Sequence, residues 1–259
     1  MRGDMAEAKS SFARYLQSFP QGAFSVNAHF YLGQMAYREQ NYDEAAVHFD
    51  KVLELPNNKF ADEALALCAE MAYTRRDYPV ALKYYRQLAD RAVTPEARLQ
   101  AATGALRSAH MTADQEEIVA TASAVLTETK LTPELKNEAH YYRAKALLAT
   151  GKGSEAAADL SVLATDTRNV YGAEAKYLLA QGYFDQGETA KAEKEVLDYI
   201  EVSTPHAYWL ARSFVLLSDV YVKMGRSLDA KQYLLSLQQN YQADDDIAEM
   251  IETRLKNLK

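Results

Sequence analysis

The sequence predicts an all-α protein, a solenoid of helix-turn-helix repeats with a capping helix at its C-terminal end. Three observations predict it. Breakers are few, with 10 Gly and 6 Pro in 259 residues, and Val/Ile alternation is sparse, which favours helices with short connections. The stretch from Val26 to Pro56 reads as two amphipathic helices around a tight turn. Ala28, Leu32, Gly33 and Ala36 share a face of the first, and Ala45, Phe49, Val52 and Leu53 share a face of the second. The pattern then recurs: Ala45 to Ala81 spans 36 residues, Ala156 to Ala192 spans 36, and Ala192 to Ala230 spans 38. One helix pair cannot bury both of its stripes, so neighbouring pairs must stack on it.

Residues 3–20, from Gly3 to Pro20, match only the second half of the Val26–Pro56 repeat. Ala8, Phe12 and Tyr15 take the places of Ala45, Phe49 and Val52. A domain that opens on a second helix leaves an apolar edge uncovered. The expectation is therefore the C-terminal fragment of a longer protein, with Met1 as an added start.

Full repeats are expected at about 26–56, 61–90, 95–128, 133–165, 171–202 and 206–240, all in a single domain, 1–259. Asp77 should cap a second helix, with Pro79 in its first turn. The 95–128 repeat is degenerate. Ile118, Ala122 and Val125 keep the register, but the turn at His110–Asp114 has no glycine. Thr94-Pro95, Thr132-Pro133 and Thr204-Pro205 each read as a helix start, Thr capping and Pro in the first helical position. The cap at 244–258 follows Asp244-Asp245-Asp246. Ile247, Met250, Ile251, Leu255 and Leu258 form its stripe, and Lys256 and Lys259 suit its C-terminal dipole end.

Composition narrows the function classes. The chain is 48% hydrophobic and 25% charged, ordinary for a globular protein. A net charge of −7 argues against a general nucleic-acid binder. The small basic cluster of Arg75, Arg76, Lys83 and Arg86 lies beside Asp77 and Asp90 and reads as a solvated helix end. Cys68 is the one cysteine, so no internal disulfide or cysteine metal cluster is available, and its apolar neighbours predict burial. No stretch approaches the ~20 apolar residues of a membrane span, so no membrane insertion by this segment is expected. The polar start MRGDMAEAKSSF already fits the repeat pattern and is expected to be part of it rather than a signal peptide.

No catalytic constellation is present. His29, His48, His110, His140 and His206 have no second His or carboxylate at HExxH or HxH spacing. Neither a metal nor a cofactor is predicted. His29 and His140 hold the same position in their repeats, which reads as packing between helices. Gly151-Lys152-Gly153-Ser154 lacks the upstream glycine and strand of a phosphate loop and falls where the repeat needs its turn. Asp244–Asp246 lacks the alternating ligands of a calcium loop.

The order of small-apolar pair, aromatic, Gly, Ala, aromatic and Pro resembles the tetratricopeptide repeat. Leu32-Gly33 sits at that family's Leu-Gly pair, Ala45 at its second-helix Ala, Phe49 at the following aromatic, and Pro56 one residue early for its terminal Pro. The spacing of 36–38 exceeds the family's usual period, and its fourth-position Trp is missing. The junction Tyr15, Phe19, Pro20, Ala28 and Phe30 also resembles bacterial cell-envelope members of the family, of the outer-membrane assembly lipoprotein and Tol-Pal-associated coordinator type.

The resemblance implies a right-handed superhelix whose first helices line a concave groove. It places Phe30, Tyr37, Arg38, Tyr73, Tyr141, Lys145, Tyr177, Gln181 and Phe184 in that groove. Its ninth positions here are Gln34, Glu70, Arg107, Lys145, Gln181 and Asp219, which do not assemble the clamp used for acidic C-terminal peptides. The function it implies is a non-enzymatic scaffold binding a peptide or protein segment, in the periplasm or at the outer membrane, with the cytoplasm as the alternative. A structural spacer, an oligomerisation module that dimerises through the N-terminal edge, and a small-ligand or enzymatic helical domain are the competing readings.

Overall fold

The computed structural model describes residues 2–55, 57–202 and 204–258, with the side chains of residues 2–4 excepted. Met1, Pro56 and Lys259, named above for an added start, a terminal Pro and a helix-end charge, lie outside the described residues. Those residues hold fourteen helices and no strand, so the fold is all-α and built from tetratricopeptide-like helical repeats. The chain divides into two compact units, Met1–Lys130 and Leu131–Lys259.

The first unit holds α1 (Arg2–Ser18), α2 (Ser25–Arg38), α3 (Tyr42–Leu53), α4 (Ala61–Thr74), α5 (Tyr78–Arg91), α6 (Pro95–Thr112) and α7 (Gln115–Thr127). Each helix packs on the next along the chain. The second unit holds α8 (Pro133–Ala149), α9 (Gly153–Leu163), α10 (Val170–Asp185), α11 (Thr189–Glu201), α12 (Ala207–Lys223), α13 (Ser227–Asn240) and α14 (Ile247–Asn257). There the first helix α10 also touches α8 and α12, and α14 lies on α12 and α13.

Small residues set the closeness of each pair. Ala45, Ala81, Ala156, Ala192 and Ala230 stand at one repeat position and are fully buried. In the α2–α3 pair the ring of Phe49 covers Gly33 so closely that a Cβ there would fall 2.7 Å from it. The degenerate repeat departs at this interface: Ile118 replaces the alanine, and Leu106 stands where Gly33 does, both buried.

The intra-repeat turns share one device. Gln40, Arg76 and Ala113 have φ of 59°, 62° and 58°, and Gly151, Gly187 and Gly225 have φ of 74°, 77° and 76°. These are equivalent positions, each just past a first helix. A left-handed residue there lets the chain reverse into the second helix.

Caps follow the sequence signals with one exception. Asn41, Asp77, Thr94, Asp114, Thr132 and Asn169 each accept a backbone N–H from the helix they open. The Thr204-Pro205 signal does not start a helix: α12 begins at Ala207 with His206 as its N-cap. Thr204 instead donates to the Thr167 carbonyl at 2.8 Å and accepts from His206 N–H at 3.2 Å. Its hydroxyl is thus used to pin the connection to the preceding repeat.

A second regularity links the two helices of a repeat. His29 and His48, and His140 and Asp159, are each 19 residues apart and meet across their helix pairs. Lys176 and Glu195 pair at the same interval with N to O at 2.6 Å. Phe214 and Tyr233 do so with ring centres 6.0 Å apart. One position in the repeat thus carries a cross-helix pair whose chemistry changes from repeat to repeat. The separation of His29 from His48 matches no short zinc motif, so their pairing is invisible to a search at HExxH spacing.

Candidate functional site: the first-helix faces

In the first unit, α2 and α4 meet through side chains. Gln34 donates to Glu63 at 2.7 Å. Tyr37 is half-buried. Burial, then a hydrogen bond to Glu70 and that carboxylate's charge, push its hydroxyl up to about 12. Tyr85 of α5 is raised as well, by burial first and then by Glu70 and Tyr73. Glu70 is exposed, so Tyr37 and Tyr85 share a carboxylate that stays open to solvent. Arg38 is exposed at the end of α2, and Tyr73 packs edge-on against Tyr78 at 5.4 Å.

Phe30 is a correction. The family resemblance puts it in the groove, but it is 2% exposed. It stacks on Phe60 at 4.3 Å and packs beside Phe49. An unbranched aromatic with two rings to meet gains more from that core than from solvent, so its face is unavailable to a partner.

A cleft of about 390 Å³ between α3, α4 and α5 is floored by Cys68 and Met71 and edged by Asp50, Arg75 and Tyr84. Cys68 is buried. Burial pushes its thiol up to about 12, which keeps it protonated and unreactive.

In the second unit Tyr141 and Lys145 meet on one carboxylate. Glu174 of α10 is only 6% exposed. The Tyr141 hydroxyl donates to its Oε2 at 2.8 Å, and Lys145 Nζ donates to its Oε1 at 2.7 Å. Tyr141 is raised by burial and by this bond, and its ring packs on Tyr171 at 4.6 Å. Tyr177 is nearly buried: its ring lies on Trp209 at 5.7 Å, so most of it belongs to the packing between repeats and not to an open groove. Its hydroxyl remains part of the face, donating to Gln181 Oε1 at 3.2 Å, while Gln181 Nε2 donates to Asp185 at 2.8 Å. Phe184 is half-buried against the same core.

Arg212 of α12 organises the other end. Its guanidinium lies 5.1 Å over Tyr177 and 5.7 Å over Tyr208. It donates to the Tyr208 hydroxyl at 2.8 Å, to Asp246 at 3.2 Å and to the Tyr177 hydroxyl at 3.3 Å. Burial works against its charge, and the two hydroxyls more than offset that, so its pKa rises. Tyr208 and Trp209 escape a search restricted to the family's groove positions. The signal that marks them is compositional: the chain's one tryptophan follows a tyrosine at a helix start.

The face is therefore amphipathic, aromatic and internally hydrogen-bonded. Among the described residues no group of three or more His, Cys, Asp or Glu could hold a metal ion. No helix among them is long and apolar enough to cross a membrane.

Residues 26–55 match the family model of the tetratricopeptide repeat. That places the repeat's signature on the α2–α3 pair and agrees with the helix pairing of the fold. No curated protein matches the sequence. Similar solved structures include a tetratricopeptide repeat protein from Parabacteroides merdae, at 16% identity and TM-score 0.44 over 98% of this chain and 93% of that one. PilW, described as a type IV pilus biogenesis factor, is 18% identical at TM-score 0.46, over 89% of this chain and 100% of that one. A TPR repeats protein from Bacteroides fragilis is 14% identical at TM-score 0.47, over 90% and 98%.

Proposed function

We propose that this chain is a non-enzymatic scaffold that binds a peptide or protein segment on its first-helix faces, as part of a larger bacterial cell-envelope protein. The observation that carries the binding role is the second-unit face. Tyr141, Lys145 and Glu174 lock one another, and Arg212 is held between Tyr177 and Tyr208. Tyrosine, tryptophan and arginine dominate binding hot spots, and side chains already held in place lose little entropy when a partner arrives. The envelope assignment, periplasmic or at the outer membrane, rests on the Tyr15–Phe30 junction alone.

The test is selection of a displayed random-peptide library on the whole chain. Retained peptides are then titrated against Tyr37→Ala, Tyr141→Ala and Arg212→Ala variants whose helix content is unchanged. Binding that weakens by tenfold or more in at least one unit's variant supports the scaffold. Selection of no peptide, or binding insensitive to all three changes, favours the structural spacer. That second reading has its own support, since Glu174 already uses Tyr141 and Lys145. Fractionation of cells carrying the full-length protein tests the envelope assignment: recovery in the cytoplasm overturns it.

A further inference from the structure

His29 of α2 and His48 of α3 face each other with their Nδ1 atoms 3.0 Å apart. The ring centres are 5.2 Å apart, longer than the nitrogen separation by nearly two ring radii. The two nitrogens therefore lie along the line between the rings, the arrangement of a hydrogen bond in which one imidazole donates N–H and the other accepts with its lone pair. That bond holds one proton. If the accepting Nδ1 is protonated as well, neither ring can accept and the bond is lost, and once both rings are fully protonated two cations stand head to head.

The other cross-helix pairs at this repeat position respond differently. Lys176–Glu195 joins opposite charges, Phe214–Tyr233 is aromatic, and His140 faces the carboxylate of Asp159. His29–His48 is the pair of this set that acid turns from attractive to repulsive.

We propose that the α2–α3 repeat is an acid-sensitive element, which loosens when protonation of the His29–His48 pair breaks its hydrogen bond. The charged groups acting on the pair come from two helices. Lys9 of α1 and Lys51 of α3 disfavour a positive imidazole, while Glu44 of α3 and Glu54 just past its end favour it. On the α4 side, Glu63 is taken by Gln34. Burial is the largest influence on both rings and holds both pKa values below the ordinary 6.5. The sign follows: the unfolded segment takes up protons that the folded pair refuses, so stability is intact above pH ~6.5 and falls as pH drops toward the folded values.

The experiment is amide hydrogen exchange of the whole chain between pH 7.5 and 5.0, corrected for the intrinsic rate and read peptide by peptide. Opening of α2–α3 should rise as pH falls below ~6.5, with α10–α11 unchanged as the internal control. His48→Asp gives His29 the partner that His140 has, and should abolish or invert the response. His29→Phe with His48→Tyr copies the aromatic pair without titrating and should flatten it, which keeps the test decisive if His48→Asp does not fold. A wild-type α2–α3 response equal to that of the control, or one that survives in the aromatic double variant, overturns the proposal.

Discussion

Tyr141 and Lys145, one turn apart on α8, grip the two oxygens of a single buried carboxylate, Glu174 on α10. One acidic side chain thus joins consecutive repeats of the second unit. Contacts about one repeat apart also link Arg226 to Glu193 and Arg254 to Asp219 in this unit. The first unit has Arg91 with Asp62 and Arg75 with Asp43. Most of those are exposed and worth little; Glu174 is not.

Replacing Glu174 by Ala strands the half-buried Tyr141 hydroxyl, while the exposed Lys145 ammonium turns to water. The expected loss is about 1–3 kcal/mol, read as a lowered midpoint of urea unfolding. Glu174→Gln keeps an acceptor for Tyr141 and should lose less. Equal losses in the two variants would mean that the carboxylate's charge, and neither the Tyr141 hydrogen bond nor packing, carries the stabilisation.

Asp159 is 2% exposed and accepts from His140 at 2.7 Å and from Arg143 at 2.6 and 2.8 Å. Burial alone would raise its pKa; the Arg143 and His140 hydrogen bonds overcome that and hold it below the ordinary 3.8. A depressed carboxylate stabilises the fold above its unfolded pKa, and that contribution is lost as pH falls through the folded value. The second unit should therefore keep this pair at pH 5 and lose its stabilisation only below about pH 4. Asp159→Ala leaves the part-buried Arg143 guanidinium and the His140 ring without their acceptor and should cost about 3–5 kcal/mol near neutral pH. A far smaller shift in the unfolding midpoint would show that Arg143 reaches solvent instead.

Two glycines separate a yielding contact from a rigid one. At Gly33 an added methyl meets the Phe49 ring at 2.7 Å, a side chain that can turn slightly. At Gly172 it meets backbone, the carbonyl oxygens of Asp166 and of Leu163, the latter at 2.6 Å. Gly33→Ala should cost about 1–3 kcal/mol by overpacking, and Gly172→Ala more, because α10 itself must move. Thermal unfolding of the two variants gives the order, and the reverse order would contradict the contact geometry.

The fold was legible because its information is local. Ala45, Ala81, Ala156, Ala192 and Ala230 repeat at nearly constant spacing, and each stripe of apolar residues declares a helix. The faces were less legible because a groove position and a core position can carry the same aromatic. Phe30 and Tyr37 share a helix and a residue class, yet Phe30 meets Phe60 and is buried while Tyr37 finds Glu70. Only the neighbouring repeat decides between them, and it lies some thirty residues away. Thr204-Pro205 went astray for a related reason: the Thr167 carbonyl, in the preceding repeat, competes for the hydroxyl that a cap requires.

The turns make the last prediction. Three repeats of the first unit place Gln40, Arg76 and Ala113 in the left-handed region, and three of the second place Gly151, Gly187 and Gly225 there. A side chain in that conformation costs about 1–2 kcal/mol, since Cβ crowds the following carbonyl. Gln40→Gly and Arg76→Gly should relieve it. Part of the gain is cancelled because glycine frees the unfolded chain by about 0.4–1 kcal/mol. The net expectation is a stabilisation of about 0.5–1 kcal/mol at each turn. The converse change is cleaner. Around Gly151, Gly187 and Gly225 an added methyl meets no atom within 4 Å, so Gly→Ala there reports backbone strain without a clash. Each should lose stability in the midpoint of urea unfolding, and the losses should be alike because the φ values are alike. If Gln40→Gly and Arg76→Gly instead destabilise, the side chains of those two residues contribute more through their surroundings than the left-handed turn costs.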